Sequence, residues 1–534
     1  MVVPKTDPMF RKRPSTAAAL AKAVTLSLVA LLFVIGCRRE PACEPDNAVT
    51  GDVLKVKPEP AAVPQGDPLS QEDLDRTVIG KLEERNDFHW EWMDLRTLWS
   101  ATLYNDHSVS VGYKPADMGN IDDIIHDIDI NKSEWRAVHD ALIDLVLTGL
   151  NDGRARPVTA ADIIIEDDPI LPVITFRLTD KEIITRLYNL QNVRYIEPLD
   201  YWPAVAGDDR SSSGCSASTT ALNAADYTTI TPNAKQPWNY SMHTIPTAWA
   251  TSQGSGITVG VIDAGLSSAQ PLMGSDFNNG DSNVGRTVTT AYTLGTSAFT
   301  SCTHGTSMSS TATGPRNNTG ASTGVAYKSN LAFVRGCNDV VLDEGAERTA
   351  VKNALTLLGN NSAVRVISMS IGSPFSYGVL SDGVNYAVGA GKLVMAAAGT
   401  SFSWTSWWGV IYPAAYSNCV AVTGVKENGS KCATCHDGSQ VDLTICMERN
   451  SNSNRNSLAL PASGVTPTYI GGSSVATSTA AGIAALVWSV KPNATRAQIL
   501  SCLTSTAQFA NAPSGSKGYG NINASAAVNC ALAL

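Results

Sequence analysis

At 534 residues the chain exceeds one ordinary domain and has room for two or three units of about 100 to 200 residues each. Its 39 Lys and Arg against 48 Asp and Glu leave a net charge of −9 with no long basic run beyond the first residues, which argues against a nucleic-acid partner. The 43% apolar content is that of a globular chain, and past the N-terminus no apolar stretch reaches the ~20 residues that a membrane span needs.

Lys5 and Arg11 to Arg13 precede an apolar run, Ala17 to Gly36, the pattern of a secretory signal peptide rather than of a fold element. A single-pass anchor is the alternative that the length of the run leaves open. The run ends Val34-Ile35-Gly36-Cys37, which resembles a bacterial lipobox. That resemblance implies cleavage before Cys37, diacylglycerol on its thiol, and outer-membrane sorting because Arg rather than Asp follows. Residues 37–73 are rich in Pro and acidic residues and are expected to form a solvated, mobile tether reaching about 30 to 35 Å.

From Leu74 to Tyr201 there is no cysteine, charge is frequent, and helical and strand periods alternate, which predicts a separate small α+β unit. Ser133 to Leu150 places Trp135, Val138, Leu142, Leu145 and Val146 on one helical face. Val173 to Leu178 reads as a strand, Thr179 to Glu182 as a capping box, Ile183 to Leu190 as a helix, and Val193 to Ile196 as a closing strand. Residues 202–235, with Ser, Thr, Ala and Asp dominating Asp208 to Ala225, read as an exposed linker.

Residues 236–534 carry the candidate chemistry. Gly256 to Ile262 is a continuous apolar strand of the buried parallel type, and Asp263 stands at its carboxyl end, where open α/β sheets face their ligand crevice. Forty-one residues on, His304 opens a helix of small residues ending at Gly314. Gly471 to Val487 then sets Ser473 and Ser474 between two glycines and an alanine-rich helix, where a serine lies near the positive end of the helix dipole. An N-cap serine and a helix-capping Asp are the plain structural readings of these residues, so the assignment rests on their combination.

The order Asp263, His304, Ser474 resembles that of the subtilisin-like serine proteases, and supporting segments follow in the family's order. These are Trp238 to Trp249, Ser368-Met-Ser370-Ile-Gly372, Tyr412-Pro413-Ala414, Val420 to Gly424 and Gly518 to Ala524. The resemblance implies a three-layer α/β fold with a mostly parallel central sheet, preceded by an α+β, ferredoxin-like propeptide over 74–201 that acts as an intramolecular inhibitor. It implies peptide-bond hydrolysis of protein or peptide substrates, with Ser474 as nucleophile, His304 as base and Asp263 as orienter. Ser473 takes the place of the family's threonine and is expected to hold the turn through a local hydrogen bond.

The same resemblance assigns the pocket walls to Ser370, Ile371 and Gly372 on one side and Ala397, Ala398 and Gly399 on the other, suited to an uncharged P1 side chain. Trp404, Trp407 and Trp408 follow, as cleft lining or as a packing cluster. The chain departs from the family at Ser307, Ser478 and Thr479, and at Thr400, where an Asn oxyanion donor is usual. A silent subtilisin-fold surface-binding protein is therefore the alternative function. No cofactor is required for the chemistry; structural calcium is common in the family, and Asp276 to Asp281 offers oxygen ligands.

Eleven cysteines argue for an oxidising compartment, so the expected location is the cell envelope of a bacterium, through the N-terminal lipid, or the medium after processing. Without Cys37 and Cys43, nine remain, an odd number that implies a free thiol. The fold resemblance favours Cys302 with Cys337, and Cys502 with Cys530 is the second pair. Among Cys419, Cys432, Cys435 and Cys446 no pairing is preferred. Cys432-Ala-Thr-Cys435-His436 also matches the CxxCH pattern of covalent haem attachment, a remote alternative function.

Overall fold

A small antiparallel sheet with the strand order Ile164–Asp167, Val173–Arg177, Ser108–Tyr113, Val193–Pro198 forms the N-terminal half of the architecture. The helices Ser133–Asn151 and Lys181–Tyr188 connect its strands, giving the β-α-β-β-α-β order of ferredoxin-like units. The computed structural model describes residues 53–104, 106–204, 213–216, 218–401 and 409–534. Cys37, the signal segment and Trp404, Trp407 and Trp408 lie outside the described residues.

Helix Ser133–Asn151 buries Trp135, Val138, Leu142 and Val146, as its apolar period dictates, while Leu145 is half-buried. Helix Lys181–Tyr188 begins differently from the expected capping box. The Asp180 carboxylate caps it, accepting from Glu182 N and Ile183 N at 2.9 and 3.0 Å, because one carboxylate can satisfy two orphan donors. The tether also needs correction over its described part, residues 53–73. Lys57 N donates to Asn189 O at 2.7 Å, Ala61 N to Asn189 Oδ1 at 2.8 Å, and Ser70 caps helix Gln71–Arg85. Hydrogen bonds to Asn189 and Asn192 tie that stretch down, which composition could not show.

The larger sheet has seven strands, ordered Leu443–Glu448, Val420–Lys426, Leu393–Ala397, Val364–Met369, Thr258–Asp263, Asn330–Arg335, Val288–Tyr292, and every pairing is parallel. All but the edge strand Val288–Tyr292 are largely buried on both faces, so they read as near-continuous apolar runs. Alternation still sorts the side chains. Leu331 and Phe333 point into one core and Ala332 and Val334 into the other. Helices His304–Thr313 and Gly472–Ser489 cover the first face, and Gly345–Asn360 and Gly378–Gly389 the second, giving three layers. Each fully buried Val, Leu, Ile or Phe contributes about 1.5–3 kcal/mol, so these two cores dominate the stabilisation.

The small sheet lies against the outer surface of Gly345–Asn360 and Gly378–Gly389, and residues 50–534 form one compact unit. Arg194 grips Asp382 with two bonds of 2.6 and 2.9 Å, Tyr195 OH donates to the same carboxylate at 2.7 Å, and Lys352 Nζ meets Glu166 at 3.0 Å and also Asp168. Asp382 and Lys352 are buried, so losing one partner leaves a charge uncompensated at a cost of about 3–5 kcal/mol. Among the described residues no helix is long and apolar enough to cross a membrane.

Candidate active site

Asp263 ends the apolar run of strand Thr258–Asp263 and is fully buried. One of its oxygens accepts the Ala264 N–H at 2.8 Å. Its two oxygens lie 2.8 and 3.0 Å from His304 Nδ1, and His304 opens helix His304–Thr313 with 3% exposure. That helix is rich in hydroxyls yet buried along its length, which is tolerable because all of its hydroxyls but Ser309 Oγ have partners. Thr311 and Thr313 bond back one turn, Ser310 Oγ reaches Ser307 O, and Ser307 Oγ donates to Leu460 O at 3.1 Å. Burial disfavours a charged His304, but the charge and hydrogen bond of Asp263, helped by Asp339, outweigh it and raise the pKa above its ordinary 6.5.

Ser474 lies in the first turn of helix Gly472–Ser489, which is buried all round except at this half-buried residue and at its last residue, Ser489. Its carbonyl accepts from Ser370 Oγ at 3.0 Å and Ser478 Oγ at 3.2 Å. His304, Thr400 and Ser474 line one cavity of about 530 Å³. With Asp263 holding Nδ1–H, the other ring nitrogen of His304 is left as a base.

Thr400 and Ser473 are joined. Ser473 N donates to Thr400 Oγ1 at 3.2 Å, the two hydroxyls are 3.1 Å apart, and Ser473 Oγ accepts from Gly399 N at 3.1 Å. Ser473 thus holds the turn through a contact more than seventy residues away in sequence rather than through a local one. Gly472 makes this possible: its φ is +76°, and a Cβ there would sit 2.6 Å from Thr400 Oγ1.

The proposed pocket walls are not part of this cavity. Ser370, Ile371, Ala397 and Ala398 are buried, and Gly372 N donates to Val340 O while its carbonyl accepts from Leu342 N, both at 2.9 Å. Residues that motif reading missed do line it: Val340, Ser401, Ala433, Thr434, and above all Gly214, Ser216 and Ser218 to Thr220 of the linker. The one sequence signal for that strap was Cys215, isolated in a Ser/Thr-rich stretch.

Cys215 also corrects the disulfide assignment. Cys302 pairs with Cys215, Cα to Cα 4.4 Å, and not with Cys337, which is a buried free thiol. The Cys215 carbonyl accepts from Thr303 N and Oγ1 at 3.4 and 3.2 Å, and this backbone docking brings the linker to Cys302. Cys502 is bridged to Cys530 and Cys432 to Cys435; Cys419 and Cys446 are buried thiols. Both cysteines of the CxxCH segment are therefore engaged with each other, which leaves none for covalent haem attachment. Asp281 faces Lys328 Nζ at 3.9 Å, and among the described residues no three His, Cys, Asp or Glu side chains gather as a metal site.

The chain belongs to the subtilase family, whose model matches residues 254–520. In class it is thereby a serine-type peptidase. It is 31% identical over 251 residues to thermitase of Thermoactinomyces vulgaris, covering 45% of this chain and 78% of that one. It is 31% identical over 340 residues to an extracellular protease of Xanthomonas campestris pv. campestris, covering 57% of this chain and 58% of the relative. A solved protease from Pseudoalteromonas arctica aligns over 55% of this chain and 96% of its own, with 24% identity and a TM-score of 0.45.

Proposed function

We propose that this chain is an exported serine endopeptidase that hydrolyses peptide bonds through an acyl-enzyme on Ser474. The observation that carries the reading is the His304 ring, clamped by Asp263 in the cavity that also holds Ser474. Ser474 Oγ attacks the scissile carbonyl, His304 takes the hydroxyl proton and passes it to the leaving amine, and Asp263 stabilises the imidazolium. Water, activated by His304 in the same way, then releases the acid. The Ser474 N–H and the Thr400 hydroxyl are the oxyanion donors, with Thr400 shorter in reach than an Asn.

The family resemblance implies that Ser370 to Gly372 and Ala397 to Gly399 flank an uncharged P1 side chain, although here they are buried and lie outside the cavity of His304 and Ser474. Because Gly372 already exchanges hydrogen bonds with Val340 and Leu342, a strand that uses Gly372 has to part them. The unit at 74–201 is the propeptide. Its charge-paired contact with Gly345–Asn360 and Gly378–Gly389, and the linker residues Gly214, Ser216 and Ser218 to Thr220 in the cavity, support intramolecular inhibition. The N-terminal pattern supports lipid attachment at Cys37 in the envelope, with release to the medium on processing.

A fluorophosphonate tests the reading, since it needs an activated serine and no particular substrate. Processed wild type and Ser473→Ala label, and the label maps to Ser474; Ser474→Ala does not label. Folded, processed wild type that fails to label overturns the peptidase reading in favour of a silent surface-binding protein.

A further inference from the structure

The CxxCH turn lies against the oxyanion side of the cleft. Thr400 and Cys435 face each other as an antiparallel bridge. On one side of Thr400, His436 N donates to Gly399 O at 2.9 Å; on the other, Ser401 N donates to Thr434 O at 2.6 Å. The peptide units flanking Thr400 are thus both held by one short turn. The His436 ring abuts the same segment, since a Cβ on Gly399 would fall 2.4 Å from its Nδ1.

The turn is in turn fixed to the sheet. The Cys432–Cys435 bridge closes it, with both sulfurs' residues at most 2% exposed. Thr423 Oγ1 of strand Val420–Lys426 donates to His436 O at 2.5 Å, Ala433 N donates to Glu448 Oε2 of strand Leu443–Glu448 at 2.9 Å, and His436 Nδ1 pairs with Gly409 O at 2.9 Å. Ala433 and Thr434 then reach the cavity shared by His304 and Ser474.

We propose that the Cys432–Cys435 turn, with His436, is the positioning element that holds the Thr400 hydroxyl at the oxyanion. Cys432, Cys435 and His436 are positioning residues; none touches the reacting atoms. A threonine donor is shorter than an asparagine, so its backbone has to be held closer and with less play. A donor displaced by about 1 Å costs on the order of 10²-fold in rate. This inference rests on the serine peptidase reading and on Thr400 as a donor.

The test is a double-mutant cycle in the protein expressed as the full chain and then processed, with kcat and KM measured on one peptide substrate. Cys432→Ala/Cys435→Ala is expected to lower kcat by roughly 10- to 100-fold at nearly unchanged KM. In the Thr400→Val background the same change is expected to cost less than about 3-fold, because the group being positioned is already gone. Should the double cysteine variant fail to fold, His436→Ala keeps the disulfide and is read in the same cycle. Cys502→Ala/Cys530→Ala is the structural control, lowering the melting temperature with kcat retained. Equal losses in both backgrounds, or a rise in KM at constant kcat, overturn the positioning role and leave the peptidase reading standing. Wild type that neither labels nor turns over overturns both.

Discussion

His304 turns its Nδ1 to both oxygens of Asp263, at 2.8 and 3.0 Å, inside a protein interior where neither residue is more than 3% exposed. The raised His304 pKa that results has a kinetic consequence, because the base works only when neutral. The acid limb of kcat/KM is therefore expected above pH 6.5, and Asp263→Asn should shift that limb down while lowering kcat by about 10⁴-fold, as the loss of the orienting carboxylate does in other triads. A pH–rate profile of the two proteins checks both. The stability sign is opposite. The folded protein holds the proton more tightly, so the pair's contribution is complete below 6.5 and is lost as pH rises through the raised value.

Thr400 Oγ1 accepts the Ser473 N–H, which leaves its own proton for Ser473 Oγ or for a substrate oxyanion. Thr400→Val should slow acylation about 10-fold or more at nearly unchanged KM, as removal of a transition-state hydrogen bond does. Thr400→Asn should match or exceed wild type. Valine also orphans the Ser473 N–H, at about 1–3 kcal/mol, so melting temperature is measured alongside the single-turnover rate to separate the two effects.

Glu197, on the last strand of the small sheet, is pushed up to about 8 by burial, with Asp382 and Glu91 adding to it against the Gly378 N–H bond and Arg194. A carboxyl that prefers its proton in the folded protein stabilises most below 4.5 and loses that contribution as pH rises towards about 8. The contact between the small sheet and the peptidase unit should weaken over that window. Glu197→Gln, which can still accept from Gly378, should flatten the dependence of melting temperature on pH between these values. An unchanged slope in the variant removes Glu197 as the cause.

Cys215 ties the linker to the residue two before His304. A cut C-terminal to Cys215 should therefore leave the N-terminal unit covalently attached to the peptidase until thiol is added, whereas a cut before it leaves only the non-covalent contact, which a denaturing gel removes without thiol. Reducing and non-reducing gels of the processing products distinguish the two. Peptide mapping without reduction should recover Cys215 with Cys302, with Cys337 alkylated only after unfolding.

The bridge from Cys502 to Cys530 spans 28 residues of sequence and should contribute roughly 3 to 4 kcal/mol by restricting the unfolded chain. Denaturant unfolding of Cys502→Ala/Cys530→Ala should show an unfolding free energy lower by that amount, and an unchanged midpoint would contradict it.

What the sequence determined by itself was whatever depends on short-range periodicity. The run from Gly256 to Ile262 reads as a strand buried on both faces, so Asp263 falls at its carboxyl end, and the alanine-rich run after Ser474 reads as a core helix. A small α+β unit over 74–201 was legible for the same reason, but its strands Ser108–Tyr113 and Ile164–Asp167, and with them the βαββαβ order, came only with the structure. Tertiary structure alone decided the contacts that join distant segments through polar backbone groups: Ser473 to Gly399 and Thr400, the CxxCH turn on both sides of Thr400, Cys215 to Cys302 instead of Cys302 to Cys337, and Asn189 holding residues 57 and 61. Such contacts follow no period. Any serine, threonine or carbonyl can make them, and which one does depends on where packing of the apolar faces leaves an unpaired donor within about 3 Å of an acceptor.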